Sequence, residues 1–199
     1  TIIREEIERY AKKIERQWGY QRIATPHIAK EDLYKISGHL PYYADSMYPP
    51  MKLDDGNYYL KAMNCPHTHM IFKAEPRSYR DLPVRYAEYG TVYRYERSGT
   101  LAGLLRVRGF TQNDAHIYCR EDQAEEEFLK VMKLHEFWYR EVFGIKDFET
   151  KYLASLAQLN SSAGGQGAVD EKLIYWIVKD KKTGDYLFDG TKIHITNKE

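Results

Sequence analysis

The residues best suited to chemistry lie in the run YRYERSGTLAGLLRVRGFTQNDAHI, between Tyr93 and Ile117. Its candidate side chains are Arg94, Glu96, Arg97, Arg106, Arg108, Asp114 and His116. A guanidinium group can donate two parallel hydrogen bonds to the oxygens of a phosphate, and an aromatic ring such as that of Phe110 can stack on a flat base. The run therefore favours a site for a base that carries several phosphates. A solvated, salt-bridged hairpin is the alternative.

Two strands joined by a glycine-containing loop are expected to position these side chains. Apolar and aromatic residues alternate over residues 90–96 and again over 106–118, which is typical of half-buried antiparallel strands. Because successive side chains of a strand point to opposite faces, Arg94 and Glu96 should share one face.

Composition limits the class of protein. The chain has 199 residues, enough for one domain or slightly more, and its net charge is only +1. A protein that held nucleic acid by charge alone would be more basic, so any contact with RNA must use local patches. Two cysteines are too few for a disulfide framework, and no apolar run has the length of a membrane span or signal peptide. A reducing, cytoplasmic setting is expected.

The flanking segments predict helices around a sheet. Residues 2–18 carry apolar side chains at helical spacing, and Gly19 fits a C-terminal cap. Residues 121–143 form a second amphipathic pattern with an acidic start, while 54–56 make a turn into a strand. We therefore predict an α+β fold with an antiparallel sheet flanked by helices. Three arginines are expected on a solvated face, namely Arg77, Arg80 and Arg85.

From residue 160 the character of the sequence changes. Residues 160–167 have the glycine and serine content of a linker. A hairpin is expected within 172–189, followed by a strand at 191–196. The expected division is a core over residues 1–159 and a loop with a hairpin over residues 160–199.

A second cluster, MNCPHTH, contains three potential metal ligands in five residues. These are Cys65, His67 and His69. The paired C-x-x-C or H-x-x-x-H arms of structural zinc sites are missing from it. From the residues alone, a buried structural cysteine is the commoner explanation.

The first cluster resembles motif 2 of the class II aminoacyl-tRNA synthetases, which reads Arg-x-Glu, a loop, then Arg-x-x-x-Phe. The matching residues are Arg94, Glu96, Arg106 and Phe110. The longer run RVRGFTQNDAHIY, together with MNCP, is similar to the threonyl-tRNA synthetases of that family. The likeness is strong over residues 1–155 and fades afterwards. Motif 3, which carries a further ATP-binding arginine in the family, is not recognisable in these 199 residues.

The resemblance implies an enzyme that activates threonine with ATP and passes it to the tRNA for threonine. Arg94 at the carboxylate and α-phosphate, and Arg106 at the terminal phosphates, would be the catalytic residues. Glu96 would accept a hydrogen bond from the adenine amino group, and Phe110 would stack on the ring. Mg²⁺ would accompany ATP.

The resemblance also implies zinc in the amino-acid pocket. Cys65 and His116 would bind the ion, whose open position takes the threonine hydroxyl and so rejects valine. His67 and His69 match no ligand position, and we expect helix or surface histidines there. His194 is a candidate third ligand. The pocket would be lined by Met63, Gln112 and Asp114, the last accepting from the threonine ammonium.

The helix at the N-terminus and the strand that ends at Pro26 take the place of motif 1, which builds the dimer interface in the family. A homodimer is therefore implied. The alternative to an enzyme is a catalytically incomplete fragment or paralogue that binds a ligand or a partner. The lack of motif 3 favours this alternative, whereas motif 2 and the pair of Cys65 and His116 favour the enzyme. A prolyl or seryl relative is not expected to combine MNCP with RGFTQNDAH.

Overall fold

The computed structural model describes the backbone of residues 1–145, 148–152, 171–174, 176–180, 186–189 and 192–196, and the side chains of residues 1–145. Two compact units interleave along the chain. The first comprises Thr1–Pro76 and Tyr86–Asp114, and the second comprises Arg77–Arg85 and the described part of Ala115–Glu199. The expected boundary at 159/160 and the linker at 160–167 lie outside the described residues.

The described residues contain both helices and strands. The helices are α1 (Ile2–Gln17), α2 (Glu31–Ile36), α3 (His39–Tyr42), α4 (Cys65–Ala74) and α5 (Ala124–Phe137). The strands are β1 (Gln21–Arg22), β2 (Ile28–Lys30), β3 (Met51–Leu53), β4 (Gly56–Leu60), β5 (Val84–Tyr93), β6 (Gly109–Cys119), β7 (Phe148–Tyr152), β8 (Glu171–Ile174), β9 (Trp176–Asp180), β10 (Tyr186–Asp189) and β11 (Lys192–Thr196). The predicted α+β class is confirmed.

Helix α1 forms where its apolar spacing predicts it. Gly19 has a φ of 83°, in the left-handed region that glycine adopts without a steric penalty, so the predicted cap is confirmed. Ile14 is buried, but Ile3 is 78% exposed and Ile7 is also exposed. The N-terminal half of the apolar stripe therefore lies on the surface of this chain.

In the first unit, β5 lies between β1 and β6. β1 pairs with it in parallel, with Gln21 opposite Tyr86. A separate antiparallel sheet has the order β2-β4-β3. Its β3–β4 turn is the predicted one, and Gly56 adopts a φ of 134° there.

In the second unit, β11 lies between β6 and β8, parallel to the former and antiparallel to the latter. β9 pairs antiparallel with both β7 and β10, which confirms the hairpin expected within 172–189. Helix α5 continues as a π-helical turn, Trp138–Val142, and Gly144 ends it with a φ of 68°. No helix among the described residues combines the length and apolarity needed to cross a bilayer.

A buried ion pair links Arg85 to α5, so the predicted solvated face is wrong for this arginine. Its side chain is only 16% exposed, and two of its nitrogens donate to the carboxylate of Glu127, which is 1% exposed. Lys130 donates to the same carboxylate at 3.0 Å. Burial opposes ionisation of Glu127, but the hydrogen bonds from Arg85 and Lys130 outweigh it and lower its pKa. A carboxylate removed from water requires such partners.

We expect Arg85→Ala to lower the free energy of unfolding by about 3–5 kcal/mol, because it leaves a buried carboxylate with one cation fewer. Urea denaturation at neutral pH measures this loss. The matched control is Arg140→Ala, which removes the exposed i,i+4 contact with Glu136 and should cost about 0.5 kcal/mol or less. Equal losses in the two variants would contradict the prediction.

The ion pair of Arg85 and Glu127 also makes the free energy of unfolding depend on pH. Since the folded-state pKa of Glu127 is lowered, its contribution is complete above the unfolded pKa of about 4.3 and is lost as the pH falls through the folded value. The stability difference between the wild-type chain and Arg85→Ala should therefore narrow in acid. A difference that stays constant between neutral and acid pH would contradict this assignment.

Candidate active site

Arg94 and Glu96 lie beyond the end of β5, so the prediction that they share one strand face is wrong. The Arg94 N–H still donates to the carbonyl of Arg108 at 2.8 Å. The next N–H, of Tyr95, donates instead to the carbonyl of Ser46 at 2.9 Å. The chain leaves the hairpin ladder at this point because its next donor is satisfied outside the hairpin.

Arg94 and Phe110 are nevertheless in contact. The guanidinium carbon of Arg94 lies 5.2 Å from the centre of the Phe110 ring, which is a cation–π geometry. Its Nε donates to the carbonyl of Ala62 at 3.4 Å. Two residues predicted for the nucleotide site are thus brought together, and the ring and the carbonyl hold the guanidinium in place.

Glu96 and Arg106 are paired with each other. Nε and Nη2 of Arg106 donate to one carboxylate oxygen of Glu96 at 3.2 and 3.0 Å, and the Thr100 hydroxyl donates to the same oxygen at 3.4 Å. Arg106 is 56% exposed. The groups predicted to bind adenine and phosphate are therefore paired with each other in this structure.

Asp114 accepts a hydrogen bond from a buried amide. Nδ2 of Asn64, a residue that is 1% exposed, donates to Oδ2 of Asp114 at 2.9 Å. The amide lies flat against Gly90 in β5. A Cβ at that position would stand 2.2 Å from Oδ1 and 2.6 Å from Nδ2 of Asn64. Glycine is therefore required at residue 90.

The other residues predicted for the amino-acid pocket also belong to the first unit. Gln112 lies two positions from Asp114 in β6, so both fall on one face of the strand. The sulfur of Met63 lies 3.0 Å from Nε2 of His39. Met63 also packs against a core cluster composed of Tyr34, Met47, Tyr59 and Ala62.

A buried ion pair in the first unit was not predicted. Lys61 and Glu88 are both buried, with Nζ 3.7 Å from Oε2, and the Thr25 hydroxyl accepts from Lys61 at 2.8 Å and donates to Glu88 at 2.9 Å. Burial lowers the pKa of Lys61 and raises that of Glu88, each opposed by the other's charge. The negative charge of Asp114 raises both pKa values. The sequence carries no signal that Lys61 and Glu88 are buried and paired, because charged residues in or next to a strand are usually exposed.

The two predicted zinc ligands are both buried and belong to different units. Cys65 is the first residue of α4, and His116 lies in β6. A thiol and an imidazole are donors that zinc accepts, so their chemistry fits the ion. Among the described residues, no three His, Cys, Asp or Glu side chains form a metal-binding group. The β11 register aligns His194 with Tyr118, and its side chain lies outside the described set.

His67 and His69 both lie in α4, as expected of helix histidines. His67 is buried, with its ring 6.2 Å from that of Tyr34 in an edge-on arrangement. Burial, reinforced by the charge of Lys61, lowers the pKa of His67 to about 4. This ring is therefore neutral at physiological pH.

The comparisons with known proteins place this fold among the class II aminoacyl-tRNA synthetases. Residues 48–190 match the family described as tRNA synthetase class II core domain (G, H, P, S and T), and the chain belongs to this family. The match includes part of the segment after residue 155, where the motif likeness fades.

The similar curated relatives are threonine–tRNA ligases. The chain is 51% identical over 156 residues to the threonine–tRNA ligase of Chloroherpeton thalassium, covering 76% of this chain and 24% of the relative. It is 44% identical over 207 aligned positions to the threonine–tRNA ligase of Deinococcus radiodurans, covering 100% of this chain and 32% of the relative. The chain thus spans a quarter to a third of the length of these relatives.

A solved structure agrees with this assignment of family. The RNA binding domain of threonyl-tRNA synthetase from Cryptosporidium parvum superposes with a TM-score of 0.73 at 28% sequence identity, covering 93% of this chain and 51% of that one. A second similar structure is a putative threonyl-tRNA synthetase from Aeropyrum pernix, with a TM-score of 0.69 at 26% identity, covering 89% of this chain and 47% of that one.

Gly90→Ala should destabilise the chain by about 1–3 kcal/mol, because the added methyl group overlaps the Asn64 amide. Chemical denaturation measures the loss. Gly99→Ala is the matched control, since a Cβ at Gly99 meets no atom within 4 Å. If the two variants were equally stable, the close approach at Gly90 would not constrain the fold.

Proposed function

We propose that this chain is part of the catalytic core of a threonine–tRNA ligase. The core activates threonine with ATP to give threonyl-adenylate and then transfers threonine to its tRNA. The observation that carries the proposal is the stacked pair of Arg94 and Phe110, within a family whose similar relatives are threonine–tRNA ligases. A guanidinium held against a ring is suited to a phosphate next to a stacked base.

In the proposed reaction, the threonine carboxylate attacks the α-phosphorus in line and pyrophosphate leaves. No side-chain nucleophile is needed, so the rate depends on positioning and on stabilisation of developing charge. Arg94 orients the carboxylate and binds the α-phosphate. Arg106 binds the terminal phosphates and stabilises the leaving pyrophosphate. Mg²⁺ bound with ATP neutralises phosphate charge.

Binding of ATP exchanges the partners of Glu96 and Arg106. The adenine amino group takes the place of the guanidinium on Glu96, and a phosphate takes the place of the carboxylate on Arg106. The cost is small because an exposed ion pair contributes about 1 kcal/mol or less. The phosphate bond to Arg106 is charge-assisted and compensates for it.

We propose that Cys65 and His116 bind zinc and that Met63, Gln112 and Asp114 line the amino-acid pocket. The burial of both candidate ligands and their donor chemistry support the metal. When bound, zinc supplies an open coordination position for the threonine hydroxyl. Valine lacks that hydroxyl and is rejected by more than its shape alone allows.

The whole enzyme would act on the tRNA for threonine in the cytoplasm, as a homodimer assembled through α1 and the Pro26 segment. Support for the dimer comes from the apolar side chains that α1 leaves exposed. They are Ile2, Ile3, Ile7 and Tyr10. Covering such side chains on association is favourable in proportion to the apolar area removed from water.

A catalytically incomplete core is the second candidate function. It is favoured by the lack of a recognisable motif 3 in these 199 residues. Such a chain would bind threonyl-adenylate without forming it. Binding and turnover must therefore be measured separately.

Arg94→Ala should weaken binding of a non-hydrolysable threonyl-adenylate analogue by about 100-fold, because it removes the charge at the α-phosphate. It should also abolish any threonine-dependent pyrophosphate exchange. Calorimetric titration gives the first result and a radiolabel exchange assay the second. Arg140→Ala, which removes an exposed arginine outside the hairpin with the same change in net charge, is the control.

The outcomes separate the candidates. Analogue binding with exchange supports the complete reaction, and analogue binding without exchange supports the incomplete core. Unchanged analogue affinity in Arg94→Ala would contradict both.

Cys65→Ala and His116→Ala should each lose most of the bound zinc, because each removes a direct ligand. Elemental analysis after dialysis measures the metal content. Cys119→Ala is the control: burial, with the charge of Glu127, raises the pKa of the Cys119 thiol to about 12, so it stays protonated and is a poor ligand. Zinc retained in full by the first two variants would refute the site, and zinc retained by His194→Ala would exclude His194.

A further inference from the structure

We infer that Asn64 is a positioning residue that fixes one carboxylate oxygen of Asp114 and leaves the other for the ammonium group of the bound amino acid. The inference rests on the proposed function, because that function supplies the ammonium. Within the described residues, the Asn64 amide is the side chain that donates to Asp114, at 2.9 Å. Asn64 belongs neither to motif 2 nor to the candidate zinc ligands.

The carboxylate sets the orientation of the amide. An ionised carboxylate can only accept hydrogen bonds, so the amide must present its NH₂ group to Asp114. Its Oδ1 is then turned away, and it is buried without a hydrogen-bond partner among the described residues. A buried unpaired acceptor destabilises a fold. The bond to Asp114 is kept despite this cost.

The amide has little freedom to move. On one side, the Asn64 carbonyl accepts from both the N–H and the hydroxyl of Thr68, each at 3.2 Å, which fixes its main chain at the start of α4. On the other side, the amide lies against the backbone of Gly90. A donor held between a helix and a strand can hold a carboxylate oxygen in one place.

The donor is also neutral, and this determines what the carboxylate can bind. The buried cation of the first unit, Lys61, is bound by Thr25 and Glu88. Asp114 therefore receives an amide instead of an ammonium or guanidinium from the protein. A neutral donor orients the carboxylate without forming an ion pair with it, so its second oxygen remains for a cationic ligand, and the charge of Lys61 acts on Asp114 only through space. The geometry selects an amino acid with a free ammonium group.

The test compares two non-hydrolysable adenylate analogues by calorimetry, one threonyl and one that lacks only the amino group. The wild-type chain should prefer the threonyl analogue. Asn64→Ala should weaken binding of that analogue by about tenfold and of the deamino analogue by less than about twofold. The preference between the ligands is a readout that a purely structural role for Asn64 would not move.

Asn113→Ala is the matched control. Asn113 makes the same kind of bond, from its Nδ2 to the carboxylate of Glu15 at 2.7 Å, at the neighbouring position of β6. Its loss should leave the preference for the threonyl analogue unchanged. If Asn64→Ala does not fold, Asn64→Leu keeps a similar branched shape without a donor and without a new charge, and it too should lose the preference.

The results distinguish the positioning role of Asn64 from the proposed function of the chain. A preference retained in full by Asn64→Ala or Asn64→Leu would overturn the positioning role while leaving the proposed function intact. A wild-type chain that binds neither analogue would overturn the proposed function, and the inference with it.

Discussion

The close approach of the Asn64 amide to the backbone of β5 is the constraint on which the first unit depends. It sets the start of α4 against the sheet, and the same amide holds Asp114 of β6. Met63 and Cys65 flank Asn64 in sequence, so their positions follow from the same contact. The Asn64 side chain therefore joins the MNCP segment to β5 and β6, the two strands that carry the candidate site. It can do so because the residue opposite it in β5, Gly90, has no Cβ.

Both units bury a carboxylate, and the partners differ in strength. Glu127 receives two nitrogens of Arg85 and one of Lys130, and its pKa is lowered. Glu88 has Lys61 at 3.7 Å, a cation shared with a threonine hydroxyl, and its pKa is raised. The number and closeness of charged donors decide whether Coulomb attraction exceeds the penalty of burial.

The sequence predicts the parts of this fold that local chemistry determines. Periodicity and a terminal glycine locate α1, and strand patterns locate the hairpin of β9 and β10. The pattern does not predict the end of β5, because a carbonyl distant in sequence, that of Ser46, takes the next donor. The pattern also does not predict the partner of Arg85, because alternation indicates which face of a strand is buried but not which residue packs against that face. Residue chemistry assigns both Arg94 and Phe110 to a nucleotide site, but it does not predict that they contact each other.

The resting pair of Glu96 and Arg106 has a consequence for ionic strength. Arg106 is paired with the Glu96 carboxylate, so a phosphate that binds it as proposed gains only the difference between a phosphate and a carboxylate as its partner. Dissolved ions screen the resting pair as well as the attraction for ATP, and the two effects oppose each other. Nucleotide affinity should therefore depend on added electrolyte less steeply than a count of the arginines in the hairpin suggests.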